Sequence, residues 1–240
     1  MISFSMTDIG MRRKVNQDYL FVSEKPVGSL PNLFIVADGM GGHNAGDYAS
    51  KCCVQSVVEY VKNSKDVTPI TIMEGAIQYA NQMLLKQSSE NEELQGMGTT
   101  LVAATISKNK MLVANIGDSR LYLINGGMKQ ITCDHSLVEA MVQSGELDPK
   151  EARYHPNKNV IPRAVGTNSN VKADYFEVEV SNQDTILLCS DGLSNMLEDE
   201  EIYAIVKSHL PDINQAGTSL IHKANENGGK DNIAIIIIKL

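Results

Sequence analysis

Short apolar segments that follow one another across very brief turns restrict the fold of this chain more than any other feature of its sequence. The segments are rich in β-branched and aliphatic residues and are bounded by Gly, Asn and Asp, as strands are. In order they are LFIVADG, TTLVAATIS, KMLVANIGDS, SRLYLING, DTILLCSDG and DNIAIIIIKL. Because neighbouring segments are joined by turns as short as ISKNK and NGG, the sequence favours antiparallel hairpins over parallel strands with helical crossovers.

Helical patterns lie between these strands. From Gly46 to Asn63 an apolar residue recurs at every fourth position and forms one stripe, made of Ala49, Cys53, Val57 and Val61. Similar patterns cover residues 72–85, 136–144, 198–209 and 214–225. The sequence therefore predicts an α+β sandwich in which sheet packs on sheet and the helices lie outside.

The chain is expected to form one domain over residues 1–240, because no linker, repeat or low-complexity segment divides it. Residues 134–177 differ from the rest. They are polar, have weak periodicity and contain Pro149, Pro156 and Pro162. Such a segment is typical of a flap over a site, and a surface loop with short helices and no function explains it equally well.

Charge and cysteine content argue against several classes of protein. The chain contains 21 Lys and Arg and 29 Asp and Glu, so its net charge is -8. Because it also has no run of basic residues, nucleic acid is not an expected partner. The four cysteines form no CxxC and predict reduced thiols in a cytoplasmic protein. The first residues resemble no signal peptide, and the run IAIIII is far shorter than the roughly 20 residues that span a membrane.

Aspartate recurs at the ends of apolar strands. Asp38, Asp118 and Asp191 follow strands, and Asp231 precedes the last one. Each alone is explained as a turn former. The four together weaken that explanation, because carboxylates that converge at one edge of a sandwich repel each other unless a cation lies between them. An all-oxygen set favours Mg²⁺ or Mn²⁺ over zinc, and Gly39 lets the backbone approach such an ion.

Seven short motifs follow each other along nearly the whole chain. They are the R-x-x-N-Q-D of Arg13 to Asp18, then ADGMGGH, GMGTTL, GDSR, DHS, CSDGL and KDN. Each is weak alone, whereas all of them in this order are highly specific. Together they resemble the motifs of the metal-dependent protein phosphatases of the 2C type, in their bacterial branch. The resemblance implies a four-layer αββα sandwich of two antiparallel sheets flanked by helix pairs, with a flap subdomain at about residues 134–177.

The resemblance also implies a metal centre. Two cations, Mn²⁺ or Mg²⁺, would be bridged by Asp38 and completed, directly or through water, by Asp18, the Gly39 carbonyl, Asp191 and Asp231. Asp118 together with Asp191 would match the third, weaker ion of many bacterial members. Gln17 departs from the pattern, since many members have Glu there, and the missing charge predicts weaker binding of one ion.

The implied reaction is hydrolysis of phosphoserine and phosphothreonine by a metal-bridging water, without a covalent phosphoenzyme. Arg13 is expected to bind the substrate phosphate, because a guanidinium meets two phosphate oxygens at once. His43 titrates in the range needed to protonate the leaving oxygen, although a structural role is an equal alternative. His135 is expected to orient the base of the flap, and the supporting residues are Thr99, Thr100 and Arg120.

The implied partners are phosphorylated proteins, namely a bacterial Ser/Thr kinase and its substrates, and a monomer without membrane contact is expected. Two rival functions stay open. A regulatory pseudophosphatase would only bind phosphoproteins, but the acids of the implied centre are intact. A different metal hydrolase, such as a nuclease, is disfavoured by the acidic charge balance.

Overall fold

The computed structural model describes residues 1–42 and 45–240. Its strands are β1 (Ile2–Asp8), β2 (Asp18–Ser23), β3 (Leu33–Met40), β4 (Gly98–Thr99), β5 (Leu101–Ser107), β6 (Lys110–Ile116), β7 (Arg120–Ile124), β8 (Met128–Gln130), β9 (Asp174–Glu179), β10 (Thr185–Cys189) and β11 (Ile233–Lys239). Its helices are α1 (Ala45–Asn63), α2 (Pro69–Glu90), α3 (Leu137–Gln143), α4 (Pro149–Ala152), α5 (Asp191–Ser194), α6 (Asp199–His209) and α7 (Ile213–Glu226), with a 3₁₀ turn at Glu92–Leu94.

The strands form two antiparallel sheets. The first has the order β1-β11-β10-β7-β8, and the second has the order β2-β3-β5-β6-β9, with β4 paired to β3. The two predicted hairpins are present as β5–β6 and β7–β8. Lys108, in the turn of the first hairpin, adopts the left-handed conformation at φ 55°. The predicted α+β class with two antiparallel sheets is confirmed.

Three layers of buried apolar side chains, each one hydrophobic cluster, stabilise the sandwich. One cluster lies between the sheets, and two others lie where α1 and α2 cover the second sheet and α6 and α7 cover the first. Residues of β3 alternate between layers: Phe34 and Val36 face the other sheet, whereas Ile35 and Ala37 face the helices. Strands buried on both faces contain few polar positions, which explains why they were recognisable in the sequence.

Three edge strands of the described residues were missed by the sequence patterns. The strands β1, β2 and β9 lie at sheet edges and are only partly buried. The segment at 134–177 was predicted to return directly into DTILLCSDG, but its last four residues already belong to β9. Its other elements are the short helices α3 and α4. No helix of the described part is both long and apolar enough to cross a membrane.

Candidate metal centre and substrate cleft

Acidic side chains from both sheets gather at one edge of the sandwich. Asp18 begins β2 and lies directly opposite Asp38 of β3 in the antiparallel ladder. Asp191 follows β10 and Asp231 precedes β11, which pairs with β10. A cleft of about 260 Å³ is lined by Asp38, Asp191 and Asp231 together with Arg13 and Gly39. The structure therefore brings together residues that are far apart in the sequence.

A second cleft adjoins the first through a shared residue. It has a volume of about 390 Å³ and is lined by Asp118 and Asp191, among others. Asp118 follows the end of β6 and is 7% exposed. Burial raises its pKa, and the charge of Asp191 adds to that effect. Asp191 thus faces both the first cleft and the region of Asp118.

The carboxylates strongly disfavour one another's ionisation. Like charges directly opposite in a ladder are destabilising, and Asp18 is only 6% exposed. Burial raises the pKa of Asp18 to about 8, and the charges of Asp191 and Asp231 contribute. Burial likewise raises the pKa of Asp191 to about 6, with the charge of Asp231 next in importance. The pKa of Asp38 is raised by burial and then by the charge of Asp18. These acids need a counter-charge to remain ionised together at neutral pH.

Unpaired oxygens at this edge suit a hard cation. The Oδ1 atoms of Asp18, Asp118 and Asp191 are buried and have no hydrogen-bond partner within the described residues. A buried acceptor without a partner is costly, so such atoms call for a ligand. Across residues 1–42 and 45–240 no three His, Cys, Asp or Glu side chains form a metal cage by themselves. Mg²⁺ commonly takes only one or two carboxylates and keeps several waters, so the observed donors fit such an ion.

Hydrogen bonds hold the second oxygen of two of these acids. Ser190 Oγ donates to Asp18 Oδ2 over 2.7 Å, and Asn195 Nδ2 donates to Asp191 Oδ2 over 2.8 Å. Each carboxylate is therefore oriented by one oxygen while its other oxygen stays open. The sequence reasoning assigned no role to either Ser190 or Asn195. The available sequence signal was position: Ser190 stands one residue before Asp191, and Asn195 stands four residues after it.

The backbone at Asp38 is fixed by two threonines. The amide of Asp38 donates to Thr100 Oγ1 and its carbonyl accepts from Thr99 Oγ1, both over 2.9 Å. Next along the strand, a side chain at Gly39 would collide with the carbonyl oxygen of Gly46 at the start of α1. Only glycine allows this close approach, so the path of β3 beside the cleft depends on it.

Arg13 lies on the loop that joins β1 to β2 and lines the first cleft. Its Nη2 donates to Asp231 Oδ2 over 2.7 Å, and its side chain is 49% exposed. Asn232 fixes this loop, because its Nδ2 donates to the carbonyls of Ile9 and Val15. The predicted phosphate-binding residue is therefore held beside the acids with half of its surface open.

The two predicted histidines have different outcomes. His43 lies outside the described residues, so its role stays a prediction. His135 is buried; its Nδ1 accepts from the amide of Gly117 over 3.2 Å and its Nε2 lies 3.0 Å from Asp174 Oδ2. His135 thus connects the loop before Asp118 to the start of β9. His135 and Asp174 lie near the two ends of residues 134–177, so their contact brings those ends together.

Residues 134–177, the predicted flap and here called the flap segment, form part of the wall of the first cleft. Asn159 and Ile161 line it together with Arg13 and Asp38. At the root of the segment, Arg120 donates from Nε and Nη2 to the carboxylate of Asp134 at 2.8 to 3.0 Å. A substrate in the cleft would therefore contact both the sandwich and the flap segment.

Comparison with known proteins agrees with this arrangement. The family model of protein phosphatase 2C matches residues 11–234. The serine/threonine phosphatase stp of Listeria innocua is 39% identical over 238 residues, which cover 97% of this chain and 93% of that protein. The structure of the serine/threonine phosphatase Stp1 of Staphylococcus aureus superimposes with a TM-score of 0.92 at 33% identity, covering 99% of this chain and 94% of Stp1.

A further structure contains metal ions. The catalytic domain of the serine/threonine protein phosphatase PstP, in complex with two manganese ions, has a TM-score of 0.86 at 30% identity and covers 98% of this chain, which spans 96% of that domain. The family match, the identities over nearly the whole chain and the shared fold agree with one another. The chain therefore belongs to the protein phosphatase 2C family of metal-dependent enzymes.

Proposed function

We propose that this serine/threonine phosphatase hydrolyses phosphoserine and phosphothreonine of proteins in the cleft lined by Arg13, Asp38 and Asp191. One observation carries the proposal: Asp18 and Asp38 oppose each other in the ladder at an edge where buried carboxylate oxygens lack partners. An edge built in this way stabilises a cationic ligand rather than an apolar one.

Two divalent cations, Mn²⁺ or Mg²⁺, are the proposed cofactors. Their proposed ligands, direct or through water, are Asp18, Asp38, the Gly39 carbonyl, Asp191 and Asp231, and Asp118 together with Asp191 would hold a third ion. When bound, such a pair supplies a water of lowered pKa and neutralises charge during in-line displacement at phosphorus. The chain's own part is to orient its carboxylates, which the bonds from Ser190 and Asn195 do.

Other residues of the same cleft are proposed to position the substrate. Arg13 presents a guanidinium that can bind two phosphate oxygens, and its bond to Asp231 keeps it next to the acids. His43 is the proposed general acid for the leaving serine or threonine oxygen. The flap wall at Asn159 and Ile161 is proposed to contact the polypeptide around the phosphorylated residue.

The proposal also covers the oligomeric state, the domain organisation, the partners and the location of the enzyme. We propose a monomeric enzyme in which residues 1–240 act as one domain and residues 134–177 as its flap. Its proposed partners are a phosphorylated bacterial Ser/Thr kinase and that kinase's substrates, and its proposed location is the cytoplasm. A net charge of -8 argues against nucleic acid as substrate.

Metal dependence is the direct test of this function. Chelator-stripped protein is expected to release no phosphate from a phosphothreonine peptide until Mn²⁺ is restored. Asp191→Asn should lower turnover at least about 100-fold, because it removes a charge that both clefts share. Phosphate release is measured over a range of Mn²⁺ concentrations. Tight phosphopeptide binding without turnover in either protein would instead support the regulatory pseudophosphatase.

Arg13→Ala is expected to raise KM about 10- to 100-fold with a smaller effect on kcat, because a bidentate contact to the substrate phosphate is lost. Steady-state kinetics on the same peptide measure both constants. Arg12→Ala is the matched control, since Arg12 is an exposed neighbour on the same loop. A large fall in kcat with KM unchanged would contradict a phosphate-binding role for Arg13.

A further inference from the structure

Two cationic side chains of the flap segment hold the turn that carries Asp191. Arg153 Nη1 donates to the carbonyl of Ser194 over 2.8 Å, and its Nε lies 2.8 Å from Glu198 Oε1. Lys158 Nζ donates to Asn195 Oδ1 over 2.8 Å. The flap segment is therefore attached to the residues immediately after the acid that faces both clefts.

Asn195, which accepts a hydrogen bond from Lys158, also contacts Asp191 directly. Its Nδ2 donates to Asp191 Oδ2 over 2.8 Å, and its backbone amide donates to the Asp191 carbonyl over 2.7 Å. The orientation of the amide group is chemically determined, because an ammonium only donates and a carboxylate only accepts. The amide oxygen must face Lys158 and the amide nitrogen must face Asp191. Hydrogen bonds linked in this sequence polarise one another, so the charge of Lys158 strengthens the bond at the carboxylate.

The bond to Asn195 determines which oxygen of Asp191 is available. Oδ2 is engaged, whereas Oδ1 is buried and has no partner within the described residues. A carboxylate held by one oxygen has a fixed orientation, and groups that orient a ligating side chain commonly change metal affinity. We propose that Lys158, acting through Asn195, is a positioning residue that sets the affinity of the cations held by Asp191. This inference rests on the proposed metal centre.

The relay formed by Lys158, Asn195 and Asp191 lies along the second cleft. All three residues line this cleft of about 390 Å³ between the flap segment and the sandwich.

Direct titration of Mn²⁺ into chelator-stripped protein tests the relay without requiring turnover. Asn195→Leu is expected to weaken Mn²⁺ binding about 10- to 100-fold. Lys158→Met is expected to weaken it about 3- to 10-fold, since it removes a charged donor one bond farther away. Lys158→Arg should restore most of the affinity, because it keeps the charge and the donors. Lys150→Met, at an exposed lysine of α4, is the matched control and should bind like the unsubstituted protein.

The double variant separates a relay from two independent effects. If Lys158 acts through Asn195, adding Lys158→Met to Asn195→Leu should weaken Mn²⁺ binding no further. Additive losses would overturn the relay, as would an unchanged Mn²⁺ affinity in Lys158→Met alone. If the unsubstituted protein itself bound no Mn²⁺, the proposed metal centre would fail and the relay with it. Thermal unfolding of each chelator-stripped variant checks that the comparison is made between folded proteins.

Discussion

Replacing Asp38 by asparagine is expected to lower phosphatase turnover at least about 1,000-fold while making the metal-free protein more stable. The substitution keeps the shape of the side chain and removes its charge. Asp38 lies opposite Asp18 in the ladder and lines the cleft with Asp191 and Asp231. It is the residue proposed to hold both cations, so the site would lose a charge on which both depend.

The gain in stability has a separate physical reason. Without cations, the ionised Asp38 is destabilised by burial and by the charges of Asp18 and Asp191, the effects that raise its pKa. Asparagine removes that repulsion and is therefore expected to raise the free energy of unfolding at pH 8. Urea unfolding in the presence of chelator measures this change, and kcat at saturating Mn²⁺ measures the loss of activity.

Asp184→Asn is the control for removing a buried charge elsewhere. Asp184 is 5% exposed, and its two oxygens accept from the backbone amide and the hydroxyl of Ser181. There the substitution replaces one acceptor by a donor, so stability should fall and activity should be retained. If Asp38→Asn also destabilised the metal-free protein, the repulsion described for this edge would be wrong.

Sequence patterns predicted the central strands well and the edges poorly. The strands β3, β5, β6, β10 and β11 are apolar on both faces because they lie between two layers, and such runs are recognisable without a structure. The edge strand β9 is half exposed and mixes acidic with aromatic residues. Its pairing with β6 stabilises it, and that pairing is a long-range contact that no local pattern expresses.

The residues of the candidate site likewise fall into those that the sequence predicted and those that it did not. Asp38, Asp118 and Asp191 were recognised because each interrupts or ends an apolar run, and this local signal is visible in the sequence alone. Ser190 and Asn195 were not assigned, since their importance depends on which oxygen of a distant or neighbouring acid they contact. The role inferred for Lys158 needed a three-dimensional structure, because 37 residues separate it from Asn195.

The metal-free protein is expected to lose stability as the pH rises from about 5 to about 8. Burial raises the pKa of Asp191 to about 6 and that of Asp18 to about 8 in the folded state. In the unfolded chain both return to about 3.9. Between these values the folded state holds more protons than the unfolded state, so the free energy of unfolding falls with increasing pH. Each site contributes a slope of up to about 1.4 kcal/mol per pH unit.

Saturating Mn²⁺ should remove or reverse this dependence. Cations bind the ionised carboxylates, so rising pH favours the loaded state instead of opposing the folded one. Urea unfolding at several pH values, with chelator and with Mn²⁺, measures both slopes. Asp18→Asn should flatten the metal-free curve most between pH 6 and 8, where the Asp18 carboxyl would otherwise ionise. A metal-free protein whose stability rises over this range would show that these acids are already ionised and paired in the fold, contrary to the proposed cation site.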